Sequence, residues 1–120
     1  MVENQANNPT PGAKKETGPV RTKHPFKIKS QLFVSSSNLA NLDDLDNSDP
    51  FCVVSRKMKP EDEWQVIGQT ETIDNNLDPQ WVKHFQIDYY FHKTIYLKFD
   101  VFDEDSSGEH ELIGYIETTL

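Results

Sequence analysis

Residues 94–102 read TIYLKFDVF. Ile95, Leu97, Phe99 and Val101 alternate with Tyr96, Lys98, Asp100 and Phe102, a two-residue period that puts the first set on one face of a strand and the second on the other. Working outward, runs of the same kind, rich in Val, Ile, Phe, Tyr, Trp and Thr, occupy 26–36 (FKIKSQLFVSS), 51–58 (FCVVSRKM), 64–73 (WQVIGQTETI), 81–90 (WVKHFQIDYY) and 112–118 (LIGYIET). Turn signals separate them: Asp49-Pro50, Lys59-Pro60, Asp78-Pro79 and Ser107-Gly108. No stretch sustains a helical period. Short strands without intervening helices predict an all-β fold, an antiparallel β-sandwich or barrel. Trp64, Trp81, Phe85, Phe99 and Tyr115 are expected in its core or half-buried on its strands, and Cys52, beside Val53 and Val54, as a small buried apolar residue.

Upstream of these runs the composition changes. Residues 1–25 hold four of the seven prolines and two glycines, with almost no apolar side chains, and are expected to be a disordered N-terminal tail. The folded domain is expected over 26–120. The sequence stops at Leu120 directly after a strand pattern, so a closing strand is expected to be missing and the chain to be a fragment of a longer protein.

Charge divides along the same line. The tail carries four basic and two acidic residues, +2; the other residues carry 8 basic and 18 acidic, −10. A body this acidic suits neither nucleic acid, whose binding relies on phosphate neutralisation, nor an anionic membrane unless a cation reverses the local sign. Cys52 is the one cysteine, which rules out an intramolecular disulfide. No run approaches the roughly 20 apolar residues of a membrane-spanning helix, and the expected location is cytoplasmic.

The acid is concentrated in two loops. Between the first two strand runs lies LDDLDNSDPF, with Asp43, Asp44, Asp46 and Asp49. Between the last two lies VFDEDSSGEHELIG, with Asp103, Glu104, Asp105, Glu109 and Glu111. These nine carboxylates repel one another unless a cation neutralises them. Hard oxygen donors on irregular loops suit Ca²⁺, which takes about 6–8 oxygens, better than Mg²⁺, which demands an octahedron. Soft metals are disfavoured by the single cysteine and by the lack of paired spacing among His24, His84, His92 and His110. Solvated turns of an acidic protein are the bland alternative for either loop alone. The two loops together are expected to leave opposite sheets at one end of the sandwich.

Two other readings fail on spacing and context. An EF-hand loop beginning at Asp103 would place Gly114 where its bidentate glutamate belongs, and its flanks are β-like. A phosphatase-type Asp103-x-Asp105 would need a helical crossover scaffold that the pattern lacks.

The motifs SDPF before a strand, NNLDPQW at 75–81 and VFDEDSSGEHELIG resemble the calcium loops and the intervening turn of C2 domains, over about residues 28–119. QIDYYF and WQVIGQTETIDNNLDP look like the N-terminal C2 domain of copines. The resemblance implies a C2-type Greek-key sandwich that is not an enzyme. It implies Asp43, Asp49, Asp103, Asp105 and Glu111 as Ca²⁺ ligands, and calcium-dependent docking on acidic phospholipids of the phosphatidylserine type, with the plasma membrane as the expected target. Protein partners are the alternative, through a calcium-independent interaction module. Glu111 stands where the family usually has Asp, and its extra methylene is expected to weaken or shift a second ion. Leu45 is the one apolar residue available at a loop tip, beside Ser106 and Ser107 in the other loop, so deep insertion into a bilayer is not expected. The run 64–73 contains no Lys or Arg, so a phosphoinositide-selective lysine patch is not expected there.

Overall fold

A computed structural model describes residues 27–42 and 47–120. The expected tail over 1–25, like Asp43, Asp44, Leu45 and Asp46, lies outside the described residues. Six strands are present: β1 (Lys27–Leu32), β2 (Pro50–Lys57), β3 (Gln65–Gln69), β4 (Phe85–Tyr90), β5 (Tyr96–Asp103) and β6 (Glu111–Thr119). Among the described residues there is no helix.

The strands form two antiparallel sheets, one of order β1-β4 and one of order β3-β2-β5-β6. In the small sheet Lys27 pairs with Tyr90 and Leu32 with Phe85. In the large sheet the ladder runs from Pro50 opposite Asp103 to Lys57 opposite Tyr96, and from Tyr96 opposite Thr119 to Asp103 opposite Glu111. A register shift between Val101 and Phe102 leaves Ile113 as the extra residue of β6, a β-bulge close to the acidic hairpin.

The alternation in β5 becomes the layering of the sandwich. Leu97 is buried, and Phe99 and Val101 pack on a cluster of Cys52, Val54, Trp81 and Phe85 from between the sheets. A second cluster of Ile87, Ile95 and Leu97 continues the core. Cys52 is fully buried, and burial, with Asp100 nearby, raises its thiol pKa to about 12, so it is a packing residue and not a nucleophile.

The strands are shorter than their sequence patterns at three places, for a common reason. Residues 33–36, 70–73 and 81–84 carry strand-like side chains, but their backbones pair through an isolated antiparallel bridge, Ser35 opposite Gln80, and through single bonds rather than a continuous ladder. Trp81 N–H donates to Val34 O (3.2 Å), Ser36 N–H to Pro79 O (2.9 Å) and Thr70 N–H to Cys52 O (2.8 Å). Glu71 clamps the chain before β4, its carboxylate accepting the Val82 and Lys83 N–H groups at 2.6 and 3.1 Å. These bonds, the Val82 N–H first, hold the Glu71 carboxyl below its ordinary pKa. Tyr115 departs from expectation outright. It pairs with Asp100 on the outer face of β6 and is 62% exposed.

The two sheets approach closely at Gly68. A Cβ there would stand 2.7 Å from Cε1 of Phe85, itself a buried ring. Gly68→Val is therefore expected to destabilise the domain by about 1–3 kcal/mol, the usual cost of overpacking a filled core. A urea titration checks this, and an unchanged midpoint would mean that the sheets are free to separate.

Candidate functional site

The β2–β5 register decides where the acidic loops meet. Because Pro50 lies opposite Asp103, Asp49 is carried to the end of β5. Asp49 N–H donates to Asp103 Oδ1 (2.9 Å), and Asp49 O accepts from Glu104 N–H (2.9 Å). Asp103 is buried, at 4% exposure, whereas Asp105 and Glu111 are exposed. The first loop leaves the small sheet and enters the large one, while the second leaves and re-enters the large sheet as a hairpin. The two loops thus start from opposite sheets, as expected. They share one end of the sandwich because β2 and β5 are neighbours.

A third loop joins them. Asn75 N–H donates to Asp49 Oδ1 (2.6 Å), Asn75 Oδ1 accepts from Asn47 N–H (2.8 Å), and Asn76 N–H donates to Ser48 O (3.0 Å). Asn75 holds a φ of 55°, in the left-handed region that asparagine tolerates better than most residues. The fully buried Ser48 hydroxyl accepts from Leu42 N–H (3.0 Å) and donates to Ala40 O (3.3 Å), tying the first loop to itself. The Thr72 hydroxyl donates to Glu104 Oε1. Sequence reasoning found NNLDPQW as a turn but gave Asn75 no part in the site. The Asn-Asn pair before Asp78-Pro79 was the available signal, since a side-chain amide next to a turn can bond across as well as locally.

The second loop is shaped from within. Asp105 Oδ1 accepts Ser107 N–H (2.9 Å), Gly108 N–H donates to Asp105 O (2.9 Å), and Gly108 takes a φ of 88°. The Ser107 backbone and then its side chain hold the Asp105 carboxyl below its ordinary pKa. Asp105 N–H donates to His110 Nδ1 (2.9 Å), and the His110 ring meets Phe51 edge-on at 5.0 Å. Phe51 stacks on Phe102 at 5.4 Å, so an aromatic row anchors the hairpin to β2.

The structure thus brings Asp49 and Asp103 into contact, and places Asp105 and Glu111 on the adjoining hairpin and strand end. Among the described residues no three His, Cys, Asp or Glu side chains converge as a metal cage. Asp43, the remaining expected ligand, lies outside those residues. The donor chemistry fits a hard cation. Asp49, Asp103 and Asp105 each turn one carboxylate oxygen to a backbone N–H. That leaves carboxylate oxygens of the kind calcium takes.

A family model described as C2 domain matches residues 31–120. The chain is 37% identical to Copine-E and 38% identical to Copine-B of Dictyostelium discoideum, over 101 residues in each case. These alignments cover 77% and 78% of this chain but 17% and 19% of those proteins. It is also 30% identical over 115 residues to nicotinic receptor-associated protein 1 of Caenorhabditis elegans, covering 78% of this chain and 18% of that protein. The chain therefore spans less than a fifth of the curated relatives it matches. Among solved structures, a C2 domain of plant extended synaptotagmin 1 superposes with a TM-score of 0.62 at 25% identity, over 79% of this chain and 70% of that one. A structure described as BON1-C2B gives 0.57 at 28% identity, over 78% and 65%. The chain belongs to the C2 domain family, and within it is similar to copines. C2 domains are non-catalytic modules that bind membranes or proteins. Among the described residues no helix is long and apolar enough to cross a membrane.

Proposed function

We propose that the loop end binds Ca²⁺ and, through it, acidic phospholipid of the phosphatidylserine type. The observation that carries this reading is the contact between Asp49 and the buried Asp103, which joins two acidic loops remote in sequence at one end of the sandwich. Asp43, Asp49, Asp103, Asp105 and Glu111 would hold the ion. When bound, the cation supplies positive charge at an end that otherwise repels anionic headgroups, and open coordination positions for headgroup oxygens. Docking is then a local change of charge on a fixed scaffold, and the protein works in the cytoplasm as a reversible peripheral partner of the plasma membrane.

A second reading is a calcium-independent protein-interaction module. It would use the acidic loop end to meet a basic surface of a partner. Sedimentation with phosphatidylserine-containing liposomes separates the two. Under the calcium reading, the protein pellets with liposomes in calcium and stays in solution with chelator. Asp49→Asn weakens the calcium-dependent fraction by about tenfold or more, because ligand charge sets affinity at such sites. Equal sedimentation in calcium and chelator, from folded protein, would sink the calcium switch and leave the protein-interaction reading.

A further inference from the structure

The first acidic loop is held from outside itself. It leaves the continuation of β1 at Ser36 and returns at Asp49, and both of its feet rest on the turn at 75–79. At the returning foot the Asn75 and Asn76 bonds take Asn47, Ser48 and Asp49. At the outgoing foot Ser36 N–H donates to Pro79 O (2.9 Å) and Leu39 N–H to Leu77 O (3.0 Å). Between them Asn38 N–H donates to Asp78 Oδ1 (2.7 Å), the one bond of these three that runs through a side chain.

Asn38 has a φ of 56°, in the left-handed region, which a residue other than glycine keeps only where its surroundings determine it. The Asp78 carboxylate supplies that determinant by fixing the Asn38 N–H. Asp78 is itself fixed. Its N–H donates to Asn76 Oδ1 (2.7 Å), and the buried Pro79 that follows confines its backbone to the extended region. From Asn38 the constraint passes along the loop. Two residues on, Ala40 O accepts the Ser48 hydroxyl, which in turn accepts Leu42 N–H. Ser48 is fully buried and adjoins Asp49, whose N–H meets Asp103.

We propose that Asp78 is a positioning residue: its carboxylate sets Asn38 and, through the loop, holds Asp49 against Asp103 for the cation. The inference rests on the calcium reading of the loop end. It makes Asp78 different in kind from the expected ligands. A ligand needs its negative charge. A positioning acceptor needs only its oxygen, which the amide of asparagine also has.

Substitutions in the 120-residue chain separate these roles. One readout is the calcium concentration for half-maximal sedimentation with phosphatidylserine-containing liposomes; the other, in chelator, is amide hydrogen exchange. Asp78→Ala raises that calcium concentration by about tenfold, as expected for losing a partner that orients metal ligands. It also speeds exchange at the Asn38 and Leu39 amides by about tenfold or more. Asp78→Asn leaves both readouts within about twofold of the unmodified protein, because the acceptor is kept. Asn38→Val retains every carboxylate but resists the left-handed φ, and shifts the calcium dependence in the same direction as Asp78→Ala. Calcium dependence in Asp78→Ala and Asn38→Val equal to that of the unmodified protein overturns the proposal and leaves the calcium reading in place. A loss in Asp78→Asn as large as in Asp78→Ala also overturns it, and makes Asp78 a ligand. If the unmodified protein sediments equally in calcium and chelator, the calcium reading fails and the positioning role falls with it.

Discussion

Asp103→Asn is expected to abolish calcium-dependent sedimentation with acidic liposomes, reducing it by at least about tenfold, while leaving the fold intact. The amide oxygen of asparagine can still accept the Asp49 N–H that Asp103 Oδ1 now accepts, so the contact between the loops survives. What is lost is one negative charge and one anionic oxygen donor. The calcium-free melting temperature should therefore move by no more than about 2 °C, which corresponds to a few tenths of a kcal/mol. Asp103→Ala serves as the contrast. It strips the same charge and also removes the acceptor at a residue that is 4% exposed, at a cost of about 1–3 kcal/mol for the N–H left unpaired. If Asp103→Asn binds liposomes in calcium as the unmodified protein does, Asp103 is no ligand and the loop end needs another explanation.

Trp81→Ala is expected to cost the domain about 3–5 kcal/mol, the range for deleting a large aromatic from a filled core. Trp81 is 4% exposed and packs with Cys52, Val54 and Phe85. Its indole N–H donates to Pro50 O (3.2 Å) and its backbone N–H to Val34 O. One residue thus fixes the start of β2 to the continuation of β1, immediately behind the loop that carries Asp49. At a chain of this size the loss lowers the melting temperature on the order of 15 °C. Thermal unfolding followed by circular dichroism measures it. A drop of only a few degrees would place the ring outside the cooperative core. Trp81→Phe, which keeps most of the apolar volume and loses the donor, should fall well short of the alanine variant.

The fold was legible in the sequence because its strongest pattern is local. The alternation through 94–102 sets the faces of β5, and once β5 is a strand facing both ways, its neighbours follow from turn residues and apolar runs. Strand ends were less legible. The residues at 33–36, 70–73 and 81–84 look like strand, but whether a regular ladder continues depends on partners far away in sequence. Tyr115 shows the same limit, since a nine-residue strand offers two faces and a bulge at Ile113 intervenes before the face can be counted off. At the site, composition picked out the acidic residues, whereas Asn75 carries no charge and its bond to Asp49 exists only once the loops are folded together. The meeting of Asp49 with Asp103 likewise comes from strand register, which no local window contains.

Asp49 and Asp103 stand 54 residues apart along the chain. In an unfolded chain, bringing such a pair together carries a length-dependent closure entropy of about 3–4 kcal/mol at room temperature. Folding bears that cost through the sheet, well before any ligand arrives. An isolated peptide from either loop would present the same carboxylates at a far lower effective concentration, and a partly unfolded domain would lose recognition along with its tertiary structure. The calcium response proposed for this end of the molecule would thus be tied to the cooperativity of the whole sandwich, and conditions that loosen the core would silence the loops without altering a residue in them.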